Sequence, residues 1–231
     1  MARILTVEET SSTNDDVAAF AREGAPEGLW LRAERQTGGR GRQGRGWHSP
    51  EGNLYASTLV RLHPGDPPPA TLALVAAVAL QEVISAYAPV QQVLIKWPND
   101  LLVEGAKLAG ILLEREGEAV VIGMGVNLAT YPEALERPVT SLCALTGDAP
   151  DPATFLENLA DSFARWLGRW RGEGLAPIRY KWLAGAHPIG TALATSAGNG
   201  LFEGLDETGS LRLRLADGTS RVIHAGDVFL I

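Results

Sequence analysis

The sequence predicts a mixed α/β fold of the α+β kind, followed by a small β-barrel. Over residues 1–185, segments with the apolar periodicity of strands alternate with segments that have the periodicity of helices. Over residues 186–231, short strands and turn signals follow one another at roughly ten-residue spacing. Hydrophobic residues make up 45% of the 231, enough to bury a substantial core. We therefore expect two domains, residues 1–185 and residues 186–231.

The elements of the first domain follow from local signals. Hydroxyl side chains at 11–13 and acids at 15 and 16 are typical of a helix start, and Gly24 suits the end of that helix. Three prolines at 67–69 break the chain before a long apolar helix, and Pro98 ends a later strand. A hairpin is expected around Glu104 and Gly105. The predicted strands are 4–7, 29–33, 54–62, 93–96, 101–103, 108–114 and 119–122, and the predicted helices are 15–23, 71–88, 152–171 and 177–183.

Composition excludes several classes of protein. A single cysteine, Cys143, cannot form an intramolecular disulfide, so a reducing, cytoplasmic location is expected. The four histidines lie far apart and show no metal-ligand spacing. The polar N-terminus is unlike a signal peptide, and Gln81 and Glu82 interrupt the apolar segment 71–88, which predicts a buried helix and no membrane span. The net charge of −7 argues against general nucleic-acid binding.

A basic, glycine-rich segment stands out against this acidic background. Residues 30–48 contain five arginines and one acid, and Gly39-Arg40-Gly41-Arg42-Gln43-Gly44-Arg45-Gly46-Trp47 forms its centre. Its glycines match G-x-G-x-x-G formally, but Arg45 to Pro50 cannot open the helix that a dinucleotide-binding fold requires. The segment is therefore expected to be a loop whose glycines allow it to change conformation easily and whose arginines can bind an anion. Two interpretations are open at this point. The loop is either a lid over an anion, or a solvated basic loop or nucleic-acid contact of the arginine–glycine type.

Two further segments carry polar residues next to strands. Lys96-Trp97-Pro98-Asn99-Asp100-Leu101 precedes Lys107-Leu108-Ala109-Gly110-Ile111-Leu112, which places Asp100 and Lys107 on the two arms of one hairpin. A carboxylate near magnesium and a lysine near a phosphate are typical of adenylate-forming sites, although a surface ion pair explains them equally well. In Ile122-Gly123-Met124-Gly125-Val126-Asn127, two glycines at a strand end permit close backbone approach, or mark a plain β-bulge.

These segments, in this order, resemble the biotin-protein ligase family. The resemblance rests on Ser11-Ser12-Thr13-Asn14, on Gln36 with the run 39–47, on 96–101, on 107–112 and on 123–127, and it spans roughly residues 10–130. It implies a central mixed sheet with flanking helices, related to class II tRNA synthetases, and a C-terminal SH3-like barrel. It also implies two reactions: biotin and Mg-ATP form biotinyl-AMP, and a lysine of a biotin carboxyl carrier protein then accepts the biotinyl group.

The resemblance also implies roles by position. Ser12, Thr13 and Gln36 are expected to hold the ureido ring of biotin. The loop arginines are expected to cover the biotin carboxylate and the α-phosphate, and Lys107 to contact both. The full set of expected biotin-binding residues is Ser12, Thr13, Asn14, Gln36, Arg40, Gly41, Arg42 and Lys107.

The remaining roles concern the nucleotide and the chemistry. Trp47 is expected to stack on adenine, and the nucleotide-binding set is Arg45, Trp47, Asn99 and Asn127. The expected catalytic residues are Lys107, Arg42, Arg40 and Asp100. Asp100 is also the candidate magnesium ligand, and the sequence leaves open whether it binds the metal or accepts a proton. The glycine-rich loop is expected to be mobile without ligand and ordered with it.

Two departures from the family pattern limit these expectations. The matching motifs begin at residue 11, so no repressor role and no sequence-specific DNA binding are expected. The family barrel usually carries basic residues near its C-terminal end, whereas this chain has Asp227-Val228-Phe229-Leu230-Ile231, which leaves an ATP contact from the barrel in doubt. A lipoate-protein ligase is the nearest alternative. The sequence leaves the oligomeric state open, and a homodimer formed through a sheet edge is one possible arrangement.

Overall fold

The computed structural model describes residues 3–133 and 137–231. Seven strands form a mixed sheet in the order β1-β2-β3-β7-β6-β5-β4, in which β1 and β2 are parallel and every other pair is antiparallel. The predicted central mixed sheet is therefore confirmed. Its strands are β1 (Arg3–Thr10), β2 (Leu29–Gln36), β3 (Leu54–Arg61), β4 (Val93–Lys96), β5 (Asp100–Val103), β6 (Ala106–Glu116) and β7 (Ala119–Val126).

Five helices accompany the sheet: α1 (Thr13–Arg22), α2 (Leu72–Tyr87), α3 (Leu142–Thr146), α4 (Pro152–Glu173) and α5 (Ala176–Ala184). The short helix α3 was not predicted. Helix α1 begins two residues earlier than expected, and Ser12 at its N-cap makes no side-chain capping hydrogen bond, so the predicted capping role for that hydroxyl is wrong. In contrast, Asp151 caps α4 by accepting a hydrogen bond from the Thr154 amide at 2.8 Å.

The sheet is covered by helices on both faces. Alternate residues of β2 show this directly, because Trp30 packs in one hydrophobic cluster and its neighbours Leu29 and Leu31 pack in the other. On one face, α2 and α4 bury the larger core, where the rings of Trp30 and Phe163 meet edge to face at 5.7 Å. On the opposite face, α1 packs mainly against β2, β3 and β7 and to a smaller extent against β6. The remainder of that face is left for the cavity described below.

The apolar segment predicted as a buried helix is α2. By length and composition, residues 69–87 could cross a membrane, and no other helix of the described residues meets that test. Most of the helix is buried, however, and it packs against α4 and the sheet. Gln81, which interrupts its apolar sequence, is buried there and donates hydrogen bonds from its Nε2 to the carbonyl oxygens of Val93, at 2.8 Å, and of Gly185, at 3.0 Å.

The C-terminal residues form the predicted β-structure. Five antiparallel strands are ordered β11-β10-β9-β8-β12, with β8 (Ala192–Thr195), β9 (Gly198–Leu205), β10 (Leu211–Leu215), β11 (Ser220–Ile223) and β12 (Val228–Leu230). One hydrophobic core continues from the large sheet into this small one, where Trp182 of α5 meets Phe202 edge to face at 6.4 Å. The division into domains at residue 185 stays a prediction.

The buried amide of Gln81 should be important for stability. Replacing Gln81 with Met keeps the side-chain length but removes the donor to Val93 and Gly185, and we expect the free energy of unfolding to fall by about 1–3 kcal/mol. Urea denaturation of both proteins measures this change. Gln92→Met, at an exposed position in the turn before β4, is the matched control and should stay close to the unsubstituted protein. Equal losses in both variants would contradict the role given to Gln81.

Candidate active site

A cavity of about 710 Å³ opens on the uncovered part of the sheet. Its floor is formed by β3, β7 and β6, whose paired residues Tyr55, Gly125 and Gly110 lie side by side across the three strands. Helix α1, the glycine-rich loop and the β4–β5 turn surround it, and the segment 227–230 closes one side. Every predicted site residue lines this one cavity: Ser12, Thr13, Asn14, Gln36, Arg40, Gly41, Arg42, Arg45, Trp47, Asn99, Asp100, Lys107 and Asn127.

One end of the cavity is lined by a network of small polar side chains at the start of α1. Gln36 accepts a hydrogen bond at its Oε1 from the Thr13 amide, at 2.8 Å, and its Nε2 donates to Ser49 at 3.2 Å. The hydroxyls of Thr13 and Ser57 are 2.7 Å apart. Ser12, Thr13 and Ser57 are all nearly inaccessible to solvent. Because such groups need partners when buried, this end suits a ligand head that both donates and accepts hydrogen bonds.

Two glycines of β7 provide the close approach that the sequence suggested. A Cβ at Gly123 would lie 2.2 Å from Oδ1 of Asn14, and a Cβ at Gly125 would lie 2.6 Å from Cε2 of Trp47. A Cβ at Gly110, on the neighbouring strand, would also be within 3.1 Å of the Trp47 ring. The side chain of Asn14 and the indole of Trp47 therefore lie directly on the sheet backbone. Any larger residue at 123 or 125 would push them into the cavity.

The β4–β5 turn brings three charged groups together. Asp100 lies 2.5 Å from the ammonium nitrogen of Lys107 and 3.2 Å from that of Lys96. Burial by itself would raise the pKa of Asp100, but the charges of Lys107 and Lys96 outweigh burial and hold that pKa below its ordinary value. The Lys107 ammonium also lies 5.3 Å from the centre of the Trp47 ring. The group carries a net positive charge, and it faces the cavity.

This arrangement bears on the magnesium prediction for Asp100. Both of its carboxylate oxygens contact lysine ammonium groups, so neither is presented to a metal ion. No group of three or more His, Cys, Asp or Glu side chains within residues 3–133 and 137–231 could hold a metal ion. Asp100, as placed here, does not fit a magnesium ligand, and its metal role stays a prediction.

Asn99 and Asn127 line the cavity, and both use their amide nitrogens to hold the chain. Asn99 donates to the carbonyl oxygen of Ile111 at 2.6 Å, which ties the β4–β5 turn to β6. Asn127 donates to the carbonyl oxygen of Thr140 at 3.0 Å, which ties the end of β7 to the segment before α3. The contacts made by these two side chains are structural, and their predicted contact with nucleotide stays a prediction.

The first loop arginine is bound to acids from two other elements. Arg40 donates from both terminal nitrogens to Asp15, at 2.7 and 2.6 Å, and from Nε and Nη2 to Glu114, at 3.0–3.2 Å. Hydrogen bonds to Asp15, and then to Glu114, raise the pKa of Arg40 above its ordinary value. The three side chains together carry one negative charge. In this arrangement Arg40 anchors the base of the loop and is not presented as a free cation for an anionic ligand.

The other two loop arginines contact the C-terminal segment. Arg42 donates to the carbonyl oxygen of Gly226 at 3.1 Å and lies 3.9 Å from the Asp227 carboxylate. Arg45 forms an ion pair with Asp227. Between the two arginines, Gln43 has a positive φ of 58°, which makes the turn tight. The loop therefore has a defined conformation here, while its expected change on ligand binding stays a prediction.

Four residues that the sequence did not select complete the site. Lys96 was within a matching motif but had no role assigned. Ser57 is a buried small polar residue in the apolar strand β3, and Glu114 is an acid on the face of β6 that carries Gly110. A polar residue in an apolar strand was the sequence signal that could have identified Ser57 and Glu114. Asp227 was noted only as a departure from the family pattern, because no local pattern announces a partner 182 residues away.

The position of Asp100 gives a pH prediction. Its pKa is depressed in the folded protein from the ordinary 3.8, so its contribution to stability is complete above that value and is lost as the pH falls toward the folded-state pKa. Asp100→Asn should lower the free energy of unfolding by about 1.5–3 kcal/mol at pH 7. The difference in free energy of unfolding between the two proteins should become smaller as the pH falls below 3.8.

Urea unfolding of both proteins from pH 7 to pH 3 measures the gap. Asp161→Asn, on the exposed face of α4, is the control, and it should track the unsubstituted protein at every pH. A gap for Asp100→Asn that is independent of pH would contradict the ion-paired role.

Comparison with known proteins agrees with this geometry. Residues 7–127 match the Biotin/lipoate A/B protein ligase family, and residues 195–231 match the Biotin protein ligase C terminal domain. The chain is 42% identical to the Biotin--[acetyl-CoA-carboxylase] ligase of Paracoccus denitrificans, over 95% of this chain and 97% of that protein. It is 36% identical to the Bifunctional ligase/repressor BirA of Bacillus subtilis, over 93% of this chain and 70% of that protein.

Similarity to a solved structure covers the whole chain. The Biotin protein ligase from Aquifex aeolicus in complex with biotin and ATP aligns with a TM-score of 0.88 at 25% identity, over 100% of this chain and 99% of that one. The expected family resemblance is confirmed by the matching segments, by relatives more than 30% identical over 97% and 70% of their lengths, and by the shared fold. The chain belongs to the biotin/lipoate A/B protein ligase family.

Proposed function

We propose that this protein activates biotin with ATP to form biotinyl-AMP and then transfers the biotinyl group to a lysine of a biotin carboxyl carrier protein, a subunit of acetyl-CoA carboxylase. The observation that carries the proposal is the single cavity in which a polar head-group end, a lysine–aspartate centre and an arginine loop meet. The names of its relatives, Biotin--[acetyl-CoA-carboxylase] ligase among them, point to the same reaction.

In the first step, a carboxylate oxygen of biotin attacks the α-phosphorus of ATP. The bond between the α- and β-phosphates breaks, and pyrophosphate leaves. Two anions must approach each other, so positive charge held at the reacting centre lowers the barrier. Lys107, which is partly exposed and lines the cavity, can supply that charge. Magnesium bound to ATP would neutralise phosphate charge. We assign no residue of this chain to it.

Asp100 is better suited to position Lys107 than to accept a proton. Two lysines hold its pKa below the ordinary value, and a carboxylate with a depressed pKa is a weak base. In the second step the carrier lysine attacks the acyl carbon, AMP leaves with the electron pair of the broken anhydride bond, and the amine gives its proton to the departing phosphate or to solvent. We propose that Asp100 fixes the ammonium group of Lys107 beside the carboxylate and α-phosphate throughout.

The polar end of the cavity favours biotin over lipoate. A ureido ring presents two N–H donors and one carbonyl acceptor, which the hydroxyl of Thr13 and the amide of Gln36 can satisfy. The dithiolane ring of lipoate has no N–H or carbonyl group and would leave the remaining hydrogen-bonding capacity of these side chains unused. The other end has the indole of Trp47 on the sheet floor, where it can stack on adenine.

Biotin-dependent exchange of pyrophosphate into ATP tests the proposal. We expect exchange that requires biotin and is far weaker with lipoate at the same concentration. Exchange driven equally by lipoate would move the assignment to the other branch of the family, and no exchange with either acid would end it. We further propose that the protein works in the cytoplasm. A homodimer formed through a sheet edge remains a prediction, and so does the absence of nucleic-acid and membrane binding.

Lys107→Ala should greatly slow adenylate formation and leave the fold intact. Losing this charge-assisted contact in the transition state should cost about 2–4 kcal/mol, which lowers biotin-dependent pyrophosphate exchange by roughly 30–1,000-fold. Lys181→Ala, on the exposed face of α5, is the matched control and should exchange normally. Near-normal exchange by the Lys107 variant would remove Lys107 from the reaction.

Arg42→Gly should release the activated intermediate. The change removes the hydrogen bond to Gly226 and adds a flexible residue to the loop, and both effects favour an open cavity. Biotinyl-AMP should still form but should escape and label lysines of an unrelated bystander protein. Mass spectrometry of the bystander and assay of free biotinyl-AMP measure the leakage. Arg42→Lys, which keeps the charge, should leak less than Arg42→Gly, and equal leakage by the unsubstituted protein would show that the loop is not a lid.

A further inference from the structure

A continuous chain of hydrogen bonds connects the polar head-group end of the cavity to the glycine-rich loop. From Thr13 it passes to Ser57, then to Asn14, then to Glu114, and finally to Arg40. The successive distances are 2.7, 2.6, 2.6 and 3.0 Å. The first three residues are buried, whereas the side chains of Glu114 and Arg40 are 37% and 30% exposed. The chain of hydrogen bonds therefore runs from the buried interior to the glycine-rich loop.

The buried part of this chain responds to what Thr13 contacts. Ser57 and Thr13 each have one hydroxyl proton, and Ser57 is also 2.6 Å from the acceptor Oδ1 of Asn14. If Ser57 donates to Asn14, Ser57 can accept from Thr13, whose proton has Oε1 of Gln36 at 3.2 Å as its other acceptor. A ligand oxygen that accepts the Thr13 proton removes the hydrogen bond from Thr13 to Ser57. A ligand N–H that donates to Thr13 strengthens that hydrogen bond. Thr13, Ser57 and Asn14 are all buried, so a change at Thr13 is transmitted to Asn14.

Asn14 has little freedom to absorb such a change by turning. Its Oδ1 lies over the backbone of Gly123, where even a Cβ would be only 2.2 Å away. Its Oδ1 accepts from Ser57, and its Nδ2 donates to Glu114 at 2.6 Å. The amide is therefore held flat on β7, and a shift at one of its ends is felt at the other. The predicted direct contact of Asn14 with biotin is not needed for it to affect binding.

Glu114 is the residue where this chain reaches the loop. It accepts from Asn14 at Oε2 and from Arg40 at both oxygens. Arg40 lies at the neck of the loop, where it pairs with Gly46 in a short β-bridge and where the Trp47 amide donates to the Gly39 carbonyl oxygen at 2.9 Å. Fixing the Arg40 side chain fixes this neck, and the loop residues 42–45 lie beyond it.

We propose that Glu114 is a positioning residue that couples occupancy of the Thr13–Gln36 end of the cavity to the conformation of the glycine-rich loop, through Asn14 on one side and Arg40 on the other. The inference rests on the proposed function, because it takes the head group of biotin as the ligand at Thr13. It assigns Arg40 to holding the loop neck, with Glu114 as the shared acceptor.

Glu114→Gln breaks this coupling with the smallest change of shape. A carboxylate accepts hydrogen bonds at both oxygens, whereas an amide has one acceptor and one donor end. The amide nitrogen would face a donor of Asn14 or a donor of Arg40, so one of the two links is lost. Asp15 still holds Arg40 in this variant. Glu116→Gln is the matched control, since Glu116 lies on the same strand and pairs with exposed Arg22 at 2.8 Å.

Limited trypsin digestion reports the loop directly, because trypsin cleaves after its three arginines. For the full chain, the cleavage rate at 40–45 is measured with and without saturating biotin, and the ratio of the two rates is the protection by biotin. We expect strong protection in the unsubstituted protein and in Glu116→Gln, and protection lower by about tenfold in Glu114→Gln. Thermal unfolding verifies that each variant is folded.

Ser57→Ala tests the same coupling from the buried end, and serves if Glu114→Gln does not fold. It removes one hydroxyl two links before Glu114 and leaves the ion pairs of Arg40 in place, so protection should fall here too. Protection by biotin equal to that of the unsubstituted protein, in either folded variant, would overturn the inference. Failure of the proposed function would look different, because the unsubstituted protein would then show neither biotin-dependent pyrophosphate exchange nor protection.

Discussion

The active site depends on a stretch of sheet that carries no side chains. At Gly123 and Gly125 of β7, and at Gly110 beside them, the backbone itself is the floor of the cavity. Because nothing projects from these positions, Asn14 and Trp47 can lie flat on the sheet, one toward each end of the cavity. A rigid strand backbone is a more precise support for functional groups than a loop. The positions of the head-group network and of the indole both follow from this constraint.

The charges of the site are largely paired within the protein. Arg40 is matched by two acids, Arg42 and Arg45 share Asp227, and Asp100 lies between two lysines. The last two groups each have one positive charge in excess, and the lysine–aspartate group is the one beside Trp47. An anionic ligand is therefore attracted both to the lysine–aspartate centre and to the loop arginines. To use the loop arginines as well, it must compete with acids that the protein already supplies.

Much of this site could be predicted from the sequence, because the motifs are local. The alternation of strand and helix patterns predicted the sheet and the helices. The five matching segments contained all the predicted site residues, and each of those residues lines the cavity. What the sequence could not give was the partner of each group. Arg40 and Glu114 are 74 residues apart, and Arg45 and Asp227 are 182 apart. No periodicity or turn signal encodes such pairs. The prediction of helix capping was also wrong. A helix start at 11–14 favours local side-chain hydrogen bonds, whereas Thr13 and Asn14 form hydrogen bonds with Ser57 of β3.

The contact of the loop with Gly226 and Asp227 has a consequence for how the protein acquires its structure. A loop made near residue 42 obtains its anchor only when the chain has been extended by a further 182 residues. At about 5–20 residues per second, synthesis of that interval takes roughly 10–40 s. The large sheet can pair its strands during that time, whereas the arginines must wait for the last strand of the small sheet. Contacts of such high sequence separation form late in folding. The arginine loop is thus expected to be among the last parts of the protein to reach its final conformation.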